Sequence, residues 1–216
     1  MTNKKRIISI LFLVCSLMIV LCACDKDDVE DKVVTVNPGE SSLHILEDGA
    51  VVQKIVEEFD ESKYNKDDFE RDLKEELSEF NGSDSLVSIE RLELNDSNMT
   101  LEFKFQSVQA FIDYTMKYVT NGSEVILFHG TVDEAVTAGF ELPGTFTKAD
   151  SDEYVNLDTI KSDNDIKVLI TNIGCKIEVD GEFLYISEGV IISGYAAVTQ
   201  ADTTNFIFYK KVEEEK

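Results

Sequence analysis

Tryptophan is absent from this 216-residue sequence, and proline and histidine occur only twice each. The two histidines, His44 and His129, lie far apart, and neither has a neighbour at metal-ligand spacing. Zinc takes three or four nitrogen or sulfur ligands, so the scarcity of such residues argues against a zinc centre. Each histidine is therefore read as a structural side chain. No Gly-x-Ser-x-Gly elbow occurs, and neither does a Gly-x-Gly-x-x-Gly phosphate loop. The sequence thus names no catalytic, cofactor-binding or metal residue. Positive charge is scarce as well: 20 Lys and Arg stand against 43 Asp and Glu, a net charge of -23. Such a chain is repelled by nucleic acid and by anionic headgroups, which excludes nucleic acid as a partner. Basic peptides and weakly held divalent cations stay electrostatically open. The densest loop carboxylates are Asp150, Asp152, Glu153, Asp163 and Asp165, but no calcium-loop pattern frames them. They read as solvated loop charge, with weak cation binding as the alternative.

Three of the four cysteines fall within the first 24 residues. Lys4, Lys5 and Arg6 precede an apolar run from Ile7 to Leu21, which closes on Leu21-Cys22-Ala23-Cys24. A run of this length suits an export signal better than a permanent span, which needs roughly 20 apolar residues. The arrangement resembles the signal peptide and lipobox of a bacterial lipoprotein. That resemblance implies cleavage after Ala23 and lipidation of Cys24; Cys22, in the lipobox interior, departs from the usual small residue. One acyl chain binds a membrane only reversibly, whereas two or more anchor it stably. The implied location is the extracytoplasmic face of the cell membrane. Cleavage removes three basic and no acidic residues, taking the net charge from -23 to -26. It also leaves Cys175 as the one remaining thiol, so the fold rests on its core without an intrachain disulfide. Cys175 reads as a small core residue.

Composition and turn signals divide the chain into a signal peptide (1–23), the lipidated cysteine with an acidic tether (24–41), an α+β region (42–146), a polar connecting segment (147–165) and a β-rich region (166–212) packed with the preceding region as one domain. The expected fold class is α+β: an antiparallel sheet with two main helices in the first half, then an antiparallel β meander. Asp48-Gly49 and Asp180-Gly181 both predict hairpin turns. A helix over about 66–80 is capped by Asn65 and buries Phe69, Leu73, Leu77 and Phe80. Met99, Leu101, Phe103 and Phe105 alternate with Thr100, Glu102 and Lys104, the pattern of a half-buried strand. Val87 and Ile89 fall out of phase with Leu92 and Leu94, which predicts a bulge near Glu90-Arg91. Ser107 caps a second helix whose inner face is Val108, Phe111, Ile112, Met116 and Val119. Thr131 and Glu134 have capping-box spacing. Most of the seven tyrosines sit beside apolar positions and read as sheet packing.

Three stretches together resemble a group of small lipoproteins from clostridia and their relatives. They are Leu43 to Phe80, then Phe128-His129-Gly130-Thr131-Val132-Asp133-Glu134-Ala135 with Gly139-Phe140, and Phe183-Leu184-Tyr185-Ile186-Ser187. The likeness implies the anchor and carries no activity with it. The expected function is a non-enzymatic envelope module that binds a protein, peptide or wall component. The alternatives are a small envelope hydrolase using acidic residues and a solute-binding lipoprotein.

Overall fold

Strand content decides the architecture. A computed structural model describes residues 40–212, apart from 61, 64, 96, 97 and 121. Residues 1–39, on which the expected signal peptide, Cys24 and most of the expected tether fall, and residues 213–216 lie outside the described residues. Thirteen strands and four helices are present among the described residues, which are 40% strand and 23% helix. The described residues are mostly β, and the expected α+β class, an antiparallel sheet with two main helices followed by a β meander, is corrected. Many of its strands are only three to five residues long, too short for periodicity to separate from loop, and their partners lie far off in sequence. The described residues divide into two units, one of residues 40–44 and 48–124 and the other of residues 45–47 and 125–212.

The first unit holds β1 (Ser42–Ile45), β2 (Val51–Glu58), α1 (Lys66–Asn81), β3 (Val87–Asn95), β4 (Asn98–Phe105) and α2 (Val108–Tyr118). Its strands run in the order β1-β2-β4-β3. Alternation in β4 is complete: Met99, Leu101, Phe103 and Phe105 are all at most 2% exposed. The expected bulge is present, as a register shift between Ile89 and Arg91 of β3 against β4.

Helix α1 runs from its Asn65 cap, whose side chain accepts from the Asp68 N–H at 3.1 Å, to Gly82 at φ 55°. Its two ends engage the two ends of the edge strand β3. Lys66 Nζ donates to the Leu94 carbonyl at 3.0 Å. Asn81 meets the Val87 backbone twice, donating through Nδ2 at 2.8 Å and accepting through Oδ1 at 3.0 Å. The dimensions match: sixteen helical residues span about 24 Å, and Val87 to Leu94 extends about 23 Å. A long edge strand is a template for unwanted pairing. Here a bulge and side-chain partners from both helix ends blunt it.

The inner face of α2 differs from the expected stripe. Ala110, Phe111, Tyr114 and Thr115 are buried, whereas Ile112 and Met116 are half-buried. Tyr114, fully buried, packs against Phe80, Phe103, Phe105 and Tyr118 at centroid distances of 5.1–5.7 Å. Its hydroxyl is satisfied by the Glu76 carboxylate of α1 at 2.6 Å, so a polar-looking residue takes the core position.

The second unit contains β5 (Leu127–Thr131), α3 (Val132–Thr137), β6 (Thr145–Lys148), β7 (Tyr154–Asn156), α4 (Leu157–Lys161), β8 (Lys167–Thr171), β9 (Lys176–Val179), β10 (Glu182–Ile186), β11 (Ile191–Ser193), β12 (Ala196–Val198) and β13 (Asn205–Lys210). A six-stranded sheet has the order β5-β8-β13-β10-β6-β7, and β11, β12 and β9 pair in that order. The order is no meander, because β8, β13 and β10 are neighbours without being consecutive. The polar stretch 147–165 carries β7 and α4. Val168, Ile170, Phe206 and Phe208 on one face of the sheet join Phe146, Val132, Ala135 and Ile160 in a buried cluster, with Phe146 and Phe208 edge to face at 4.6 Å.

Asp180-Gly181 is not a hairpin turn. Strand β9 pairs with β12, while β10 pairs with β13 and β6, so the dipeptide carries the chain between different pairings. Glycine is required there by proximity: an added Cβ would lie 2.5 Å from the Lys210 carbonyl oxygen and 2.8 Å from the Tyr209 ring.

Candidate functional site

Three of the five loop carboxylates singled out in the sequence are drawn to two lysines of the chain itself. Glu153 pairs with Lys148 at 2.5 Å. Asp163 and Asp165 both take Lys210, at 3.1 and 3.2 Å. Asp163 also accepts the Asp165 N–H at 3.0 Å, and these contacts hold its carboxyl below the usual range. Among the described residues, no three His, Cys, Asp or Glu side chains converge on a point that would hold a metal ion.

The histidines lie on different strands, in different units. His44 lies on β1. His129, on β5, places Nε2 2.5 Å from the Tyr209 hydroxyl, with the rings stacked at 15°. Burial, followed by the nearby Asp180 and Glu47 charges, pushes the Tyr209 phenol well above its ordinary value. Glu47 is held in turn by Lys211 at 2.8 Å, and its N–H donates to Asp180 at 3.0 Å. The effect is to keep a buried tyrosine protonated as a hydrogen-bond partner, a structural role. Cys175 is half-buried beside β9, its N–H donating to Thr199 Oγ1 at 3.1 Å. The Thr131–Glu134 capping box forms as expected, and its hydrogen bonds from Thr131 hold the Glu134 carboxyl below the usual range.

Tyrosine burial divides along a line that the sequence did not mark. Tyr114 and Tyr209 are core residues, whereas Tyr195 is 64% exposed and Tyr154 77% exposed. Tyr195 stands at the turn between β11 and β12 after Gly194, whose φ of 61° suits the first central position of a tight hairpin. Tyr154 sits on β7, the last strand of the six-stranded sheet.

The phase of β7 follows from its hydrogen bonds. The Lys148 N–H donates to the Glu153 carbonyl at 2.9 Å, and the Leu157 N–H to the Gly144 carbonyl at 3.0 Å. With the register Thr145–Asn156, Phe146–Val155 and Thr147–Tyr154, bonded pairs fall at 144/157, 146/155 and 148/153. The main-chain groups of Tyr154 and Asn156 therefore point away from β6. No strand pairs with that side among the described residues. Val155 turns inward against the core, while Glu153, Tyr154 and Asn156 are exposed. An open strand edge beside an exposed ring can bind an extended chain; it offers no group for covalent chemistry. Sequence reading could not find this edge, because it depends on the order of strands in the sheet. No family model matches the chain, and neither a characterised protein nor a solved structure does.

Proposed function

We propose that this chain is a cell-envelope lipoprotein, anchored through Cys24 on the extracytoplasmic face of the membrane, that works as a non-enzymatic interaction module. The location is supported by the basic residues, apolar run and Ala23-Cys24 of the N-terminus, and by the likeness of three stretches to clostridial lipoproteins. The observation that carries the interaction reading is the open edge of β7, with Tyr154 and Asn156 presented to solvent. An acidic tether and a net charge of -26 after cleavage hold such a module clear of anionic headgroups.

Metabolic labelling with a palmitate analogue tests the anchor: label should enter the wild-type chain and be lost from Cys24→Ala. Labelling that persists in the variant overturns it. The module reading predicts that crosslinking in native cells captures a defined protein, peptide or wall partner. Turnover of a substrate by the purified chain overturns it.

A further inference from the structure

We infer that the partner taken at β7 is an extended, lysine- or arginine-bearing segment of another polypeptide, added to the six-stranded sheet as a seventh strand. The inference rests on the interaction-module reading and names its partner chemistry. Three main-chain groups are available: the N–H and C=O of Tyr154 and the N–H of Asn156. The Asn156 carbonyl is committed, because an N-cap carbonyl accepts the first bond of its helix. Strand addition uses such groups for affinity, and alternate side chains for selection. Tyr154 supplies an exposed ring on the same edge, and the Asn156 side chain makes no capping hydrogen bond to α4.

Charge selects the occupant. Asp150, Asp152 and Asp158 flank β7 and are exposed, while Glu153 is balanced by Lys148. A second copy of this chain would bring the same aspartates to the same edge, and like charges side by side oppose that pairing. A basic strand meets the opposite sign. The long edge at β3 is bulged and bonded at both ends by α1, so the open edge at β7 is the better acceptor.

Asn156 also supplies a clean test. Its φ of −77° and ψ of 146° match those of proline, and its N–H takes no part in the β6 ladder. Asn156→Pro therefore removes an outward donor and puts a ring on the edge without breaking an internal bond. The full chain in uncharged detergent is titrated with an acetylated Lys-Val-Lys-Val-Lys-Val peptide and with its Glu-Val counterpart, while amide hydrogen exchange is followed. The lysine peptide should bind and slow exchange at Tyr154 and Asn156; the glutamate peptide should not bind. Asn156→Pro should weaken binding about tenfold, the scale of one lost hydrogen bond. Its unfolding midpoint should stay close to wild type. The triple variant Asp150→Asn, Asp152→Asn, Asp158→Asn should weaken binding at low salt and flatten its salt dependence. No binding of the lysine peptide, protection elsewhere, or equal affinity for Asn156→Pro each overturns the inference. The two readings fail separately: substrate turnover overturns the module whatever the peptide does, and indifference to the proline overturns the edge alone.

Discussion

The Tyr114 hydroxyl donates to the Glu76 carboxylate at 2.6 Å, joining α2 to α1 beneath a layer of aromatic rings. Burial raises the Glu76 carboxyl above its ordinary range, and the Tyr114 hydrogen bond only partly opposes this. Removing the donor leaves a half-buried carboxylate short of its partner. Tyr114→Phe should cost about 1–3 kcal/mol in denaturant unfolding at neutral pH.

The same carboxyl sets a pH dependence with a defined sign. Its folded pKa lies above its unfolded one, so between the two values the folded state holds more protons. Its contribution to stability is fully present below the unfolded value and is lost as pH rises through the folded value. Glu76→Gln cannot ionise and still accepts from Tyr114. Unfolding curves across this pH window should show the variant gaining on wild type as pH rises, then holding a constant lead. A difference that does not change with pH would remove Glu76 as the source.

The edge clamp at β3 predicts a local effect. Asn81→Ala removes both side-chain bonds to the Val87 backbone, at a cost of about 1–2 kcal/mol. Amide exchange should speed up first along β3. Uniform acceleration across the first unit would show that Asn81 acts on the whole fold and not on the edge.

Gly181 tests the reading of its dipeptide. Its φ is not positive, so alanine carries no backbone penalty there. The expected loss is steric, from contact with the Lys210 carbonyl and the Tyr209 ring, and should reach about 1–3 kcal/mol. A neutral Gly181→Ala would refute the close approach.

Asn205 is fully buried. Its Nδ2 group is shared among the carbonyls of Thr171, Gln200 and Thr203 at 2.7–3.1 Å, and its Oδ1 accepts from the Gln200 N–H at 3.1 Å. Asn205→Ala strands several buried backbone groups and should cost about 3 kcal/mol or more. Asn205→Asp should do no better, because a carboxylate cannot donate to the three carbonyls.

Local features were readable because local physics makes them. The alternation of Met99 to Phe105, the caps at Asn65, Ser107 and Thr131, and the bulge beyond Ile89 all depend on residues within a few positions. The inner face of α2 was misread because Tyr114 counts as polar until Glu76, 38 residues away, satisfies its hydroxyl. Asp180-Gly181 looked like a hairpin because its flanking runs are strand-like, yet those strands have different partners. The open edge of β7 had no local signature: Tyr154 and Asn156 point outward only because β6 lies on their other side. Cys24, the one site residue named from sequence, lies outside the described residues.

Strand β13 sits between β8 and β10 in the six-stranded sheet, although it comes last in sequence among the described strands. The sheet therefore lacks an interior strand until residues 205–210 have joined it. Until then the apolar faces of β8 and β10 have no common neighbour. Joining that strand to the sheet is long-range β pairing, which is slow, and loss of residues 205–210 should remove the whole sheet, not fray one edge of it.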